Sequence, residues 1–121
     1  MLINCLAVGA GGALGAIFRY LITLSPIEIK GFLLTTIGIN IIGSFCIGLI
    51  AELAGKITNF NPYLLLFLKV GLCGGFTTFS AFSIEAIGLL QNGRILTAVN
   101  YMVFSVILCI AAAGGAQMLV K

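Results

Sequence analysis

The sequence predicts an all-α integral membrane protein: four transmembrane helices with a break in the third, assembled as an antiparallel, dual-topology homodimer. Three observations predict the four helices and the break; the inverted pairing rests on the charge balance of the loops. Of 121 residues, 61% are hydrophobic and only 7% charged, and the mean hydropathy is +1.26. A soluble domain of this size cannot hide so much apolar surface, because a small domain has little interior for its surface. Four apolar stretches each reach the roughly 20 residues that a bilayer crossing needs. One of them contains "GLCGGFTTFSAF", residues 71–82, where glycines weaken a helix and hydroxyls demand partners that lipid does not supply.

The four spans belong to one domain, residues 1–121. The first covers residues 2–24 and stops before Ser25-Pro26. Its apolar start lacks a basic leader and Arg19 follows the apolar run, the pattern of a first membrane helix rather than a cleaved signal. The second covers 31–54 and ends at Gly55-Lys56; the third covers 63–90 after Asn61-Pro62; the fourth covers 95–120. Short loops make neighbouring helices antiparallel. The expected location is the cell membrane, crossed several times.

Orientation follows the Lys/Arg bias of the loops. Lys56, Lys69 and Lys121 fall on one side, and Arg19, Lys30 and Arg94 on the other. The balance leaves two readings: the count is too crude, or the chain inserts both ways and pairs with an inverted copy. We take the second, because four helices enclose little of a pathway. Small residues support close association: Gly11 with Gly15, and Ala111 with Gly115, stand four apart. Packing within one chain explains either pair equally well.

Composition excludes several classes. There is no histidine, hence no histidine relay or histidine metal site. No basic cluster points to nucleic acid or to an anionic lipid patch. Cys5, Cys46, Cys73 and Cys109 lie within apolar segments without a CxxC pair and read as small hydrophobes. No nucleophile with its base is visible, so the chain does not read as an enzyme.

The polar residues at depth are ordered. Thr36, Asn40 and Ser44 share one face of the second span. Asn40 either glues helices together or offers N–H groups to an anion. Thr97, Tyr101, Ser105 and Cys109 form a second stripe on the fourth span, with Asn100 beside it. That stripe either solvates a moving ion or bonds neighbouring helices. Glu28 and Glu52 sit at span ends, whereas Glu85 lies roughly two turns inside its span. An intramembrane carboxylate is a functional candidate by default, facing a vestibule or pairing with a cation.

The third span, at about 28 residues, is longer than a straight crossing requires, and a break absorbs the excess. Unwound carbonyls at such a break can coordinate a cation. Phe76, Phe79 and Phe82 recur every third residue. Aromatic ring edges are positive and can face an anion without carrying charge.

At these residues the chain resembles the Fluc (CrcB-type) fluoride channels. "GGFTTFSAFSIE", 74–85, is similar to that family's GG-x-TTFSTF-S-x-E signature, with Ala81 where threonine is usual. The likeness extends to "GGALGAIFRY", 11–20, to "TTIGINIIGSFCIG", 35–48, and to "NYMVFS", 100–105, so it touches all four spans. It implies a passive fluoride-specific channel that exports F⁻ and lowers its toxicity, built as a dual-topology homodimer with two antiparallel pathways. It also implies a structural, untransported Na⁺ at the dimer centre. By the resemblance, the Na⁺ carbonyls fall on Gly74 and Thr77, and the fluoride pore on Asn40, Phe79, Phe82, Tyr101 and Ser105. Arg19 and Glu85 match positions near the vestibules. Cys109 stands where a further hydroxyl is often found.

A pore for a small, strongly hydrated anion must replace its water with many weak donors, because a tight cationic site would release slowly. The competing reading is a small dual-topology multidrug exporter. That class needs a deep carboxylate in its first helix, where this chain has only Arg19. A non-transport assembly or lysis protein would need no aligned polar stripes.

Overall fold

The computed structural model describes residues 1–29 and 32–121. Four long apolar stretches dominate it. α1 spans Leu2–Thr23. A two-strand hairpin follows, β1 (Glu28–Ile29) with β2 (Phe32–Leu33), antiparallel with Ile29 opposite Phe32. α2 spans Leu34–Lys56 and α6 spans Ile95–Leu119. Between them, the third membrane-length stretch, Pro62–Gln91, is built in pieces: α3 (Pro62–Leu65), a π-helical stretch (Leu66–Cys73), α4 (Gly74–Phe76) and α5 (Phe79–Gln91). Lys30, counted in the charge balance, and Gly31, the expected start of the second span, lie outside the described residues. The hairpin was not foreseen in the sequence.

Local chemistry sets the ends. Asn61 Oδ1 accepts from the N–H groups of Tyr63 (2.8 Å) and Leu64 (3.3 Å), and Pro62 stands at the first helical position where its missing N–H costs nothing. At the far end of α5, Gly93 adopts φ +74°. This lets Arg94 N–H reach the Leu89 carbonyl at 2.9 Å and Gly93 N–H the Leu90 carbonyl at 3.1 Å, closing the helix.

The break falls one step later than the glycines suggest. Gly74, Gly75 and Phe76 remain helical. The unwound residues are Thr77 (φ −79°, ψ 154°) and Thr78 (φ −147°, ψ 115°). The glycines serve contact instead. A Cβ on Gly75 would run into the Gly12 backbone, and one on Gly71 would lie 2.8 Å from the Val8 carbonyl. Gly11 and Gly15 meet the backbone of the same stretch around Leu72. The first small-residue pair is thus used within the chain, between α1 and the third span. The second differs: nothing lies near Gly115, and Ala111 is exposed. It is Gly48 of α2 that closes on Ala113 of α6.

A modest core joins α2, α5 and α6 through Ile37, Phe82, Ala86, Leu89, Ala98 and Tyr101. Outside it, large apolar side chains face outward, among them Leu2 (73% exposed), Ile110 (68%) and Met118 (77%). In water each would forgo about 1.5–3 kcal/mol of burial. A bilayer removes that cost, and the 22 residues of α1 span ~33 Å at 1.5 Å per residue, about the hydrocarbon thickness.

Candidate ion pathway

The site begins with Asn40. Its α2 position holds the amide against the break: Nδ2 donates to the Thr78 carbonyl at 3.1 Å and Oδ1 accepts from Thr78 N–H at 2.8 Å. The amide replaces a strand partner for the unwound threonine, which is how exposed backbone survives at membrane depth. Thr78 then caps α5, its Oγ1 accepting from Ala81 N–H at 3.1 Å and lying 3.1 Å from Ser80 Oγ. On the near side, the Cys73 carbonyl accepts from both Thr77 N–H (3.1 Å) and Thr77 Oγ1 (3.0 Å).

These bonds bear on the candidate cation carbonyls. The helical donor for the Gly74 carbonyl is Thr78 N–H, which goes to Asn40; that for Thr77 is Ala81 N–H, which goes to Thr78 Oγ1. Both carbonyls lose their usual donors, and carbonyl oxygens suit a hard cation. Gly74 is exposed on the surface of the chain. The intervening Gly75 carbonyl accepts from Arg19 Nε at 3.3 Å. Arg19 therefore ties α1 to the break. Among the described residues no cluster of three His, Cys, Asp or Glu offers a different metal site.

Beside the break runs a groove of about 350 Å³ between α2, α5 and α6. Asn40 and Ser44 line it from α2, Thr77, Thr78, Phe79 and Phe82 from the third span, and Ser105 and Cys109 from α6. Phe79 is 77% exposed and Phe82 is 8% exposed, and their ring centroids stand 5.4 Å apart at 47°. The pair is continuous, one ring at the surface and the next inside. Phe76 parts from them, because the break turns it toward Gly43 of α2. Ser105 is 6% exposed, yet its Oγ meets no hydrogen-bond partner among the described residues. An unmet buried hydroxyl costs about 1–3 kcal/mol, so it is the wall's one buried polar group, among the described residues, left with its hydrogen-bonding capacity open.

Two expected positions take other places. Tyr101 does not line the groove. Its ring is fully buried, 5.2 Å from that of Phe82, and its hydroxyl donates to Glu85 Oε1 at 2.6 Å. Glu85 Oε2 accepts from Thr36 Oγ1 at 2.7 Å. The carboxylate thus fastens α2, α5 and α6 through hydroxyls, where sequence reasoning weighed a vestibule or a cation partner. Thr78 was the residue sequence reasoning passed over. The signal was available in the repeated threonine before a phenylalanine, an N-cap pattern.

The class defined by this architecture is a multi-pass membrane protein whose third span is interrupted beside an uncharged polar groove. Residues 6–116 match the family described as CrcB-like protein, Camphor Resistance (CrcB). The chain belongs to that family. A relative from Ruminiclostridium cellulolyticum, named fluoride-specific ion channel FluC, is 42% identical over 99% of this chain and 94% of its own length. Relatives of the same name from Agrobacterium fabrum and Chlorobaculum tepidum are 41% and 46% identical, over 92% and 82% of this chain and 90% and 79% of their own.

Proposed function

We propose that this protein is a passive fluoride channel. The observation that carries the reading is the groove: Asn40, Ser105 and the Phe79–Phe82 pair share one wall system, with a buried hydroxyl left unmet. Each group offers F⁻ a weak positive edge or a donor, and none offers a full charge. The names of the relatives agree with it. An anion entering past Phe79 exchanges water for ring edges at Phe82 and for the Ser105 hydroxyl. Asn40 keeps one amide N–H beyond the bond to Thr78, available to the groove. Weak, repeated contacts permit both entry and exit.

The working unit is an antiparallel homodimer. Support comes from the even Lys/Arg division, from exposed Phe79 and Gly74, and from the free face at Ala111 and Gly115. The Gly74 and Thr77 carbonyls would hold the structural Na⁺, which supplies a fixed positive charge at the seam. The chain's own contribution is to release these carbonyls from the helical ladder through Asn40 and Thr78.

Liposomes loaded with fluoride and carrying the purified protein test the reading with a fluoride electrode. F⁻ should leave down its gradient without ATP or a proton gradient. Equal chloride release, or silence from folded protein, overturns it. Labelling a terminal tag in intact cells should find it on both sides of the membrane; a single orientation overturns the dual topology.

A further inference from the structure

The proposed channel assigns no role to Cys46, which lies off the groove, or to the Cys73 thiol, which stands between the groove and a second cavity. Cys46 of α2 and Cys73 at the end of the π-helical stretch line one cavity of about 240 Å³. A second observation brings the two spans side by side at this level. Gly43 packs against the Thr77 side chain, where the two spans nearly touch. The spans are antiparallel, so one turn forward from Gly43 and one turn back from Thr77 bring Cys46 and Cys73 together. The remaining wall is apolar, with Phe18, Ile42 and Phe76.

We propose that Cys46 and Cys73 form a two-coordinate site for a soft divalent metal ion of the mercury(II) type. Thiolates select soft metals. Binding releases two protons: Hg²⁺ + 2 RSH gives RS–Hg–SR + 2 H⁺, with two S–Hg bonds formed and two S–H bonds broken, and no redox change. The product is neutral, which an apolar cavity accepts. A monovalent ion such as Ag⁺ would leave a net negative charge there, which desolvation disfavours. Zinc would miss two of its usual four ligands. The bridge would pin α2 to the last turn before the break, because the Cys73 carbonyl holds Thr77.

The test uses full-length protein carrying Cys5→Ser and Cys109→Ser, so that only the pair remains, titrated with mercuric chloride. One metal ion per chain should consume both thiols. Stripping it should need about a hundredfold more glutathione than in the same protein with Cys46→Ser added, because a second thiolate on the same cavity acts at high effective concentration. Thermal unfolding of the paired protein should move upward on binding, and that of the Cys46→Ser protein should not. One mercury per thiol, equal glutathione sensitivity, or preferential Ag⁺ binding would overturn the site. None of these readouts depends on fluoride flux.

Discussion

The third span has two faces, and similar residues do opposite work on them. Toward α1, Gly11, Gly15, Gly71 and Gly75 bring backbones into direct contact and leave no room for a side chain. Toward α2 and α6, Asn40, Ser44, Ser105 and Cys109 surround open space. One face is a dry seam whose purpose is contact. The other is a groove whose polar atoms are incompletely used. The contrast teaches that small residues in a membrane helix mark close approach only where a partner backbone arrives. Without one, the same economy of volume leaves a groove.

Substitutions that fill the seam should have the largest effect. Gly15→Val would drive a side chain into the Leu72 carbonyl and the Phe76 N–H, neither of which can yield without moving a helix. The expected cost exceeds ~3 kcal/mol, read as loss of monodisperse protein on size exclusion. A well-folded Gly15→Val protein would show that the seam is looser than described.

In the groove, Asn40→Asp keeps the shape but removes the donor to the Thr78 carbonyl and sets a negative charge beside the path. A penalty of ~3 kcal/mol corresponds to about a hundredfold loss of flux. Electrode recordings from folded protein should show it; unchanged flux would remove Asn40 from the pathway. Phe82→Ile should retain the fold and slow fluoride about tenfold, because isoleucine packs yet presents no positive ring edge. Normal conduction by that variant would make the ring mere packing.

Glu85→Gln tests the fastening behind the groove. Of its two hydroxyl bonds, at 2.6 and 2.7 Å, one must then face an amide N–H₂ in place of an acceptor oxygen. The loss should be ~1–3 kcal/mol, measured by denaturant unfolding in detergent. Adding Thr36→Val should cost little more, because the two groups share one bond. Full additivity would deny that link. The smallest effect belongs to Gly115→Ala. Nothing stands within reach of the new methyl group, so an isolated chain should gain up to ~1 kcal/mol of helix propensity. A fall in dimer content by crosslinking would instead locate the partner on this face.

The sequence by itself determined the class, the four membrane-length helices and the interruption of the third. Hydropathy and spacing are local properties, and a bilayer converts them directly into spans. The polar stripe of α2 was also legible, because helical periodicity places Thr36, Asn40 and Ser44 on one face. What each stripe member does was decided by tertiary structure alone. Thr36 meets Glu85, Asn40 meets the Thr78 backbone, and Ser44 meets open space. The same holds for the break. Its glycines looked like the point of unwinding, but α1 arrives against them and keeps them helical, while Asn40 draws off the Thr78 N–H one turn later. A residue's hydrogen-bonding capacity is written in its chemistry, but its partner is set by which helix packs beside it, and no local pattern carries that information.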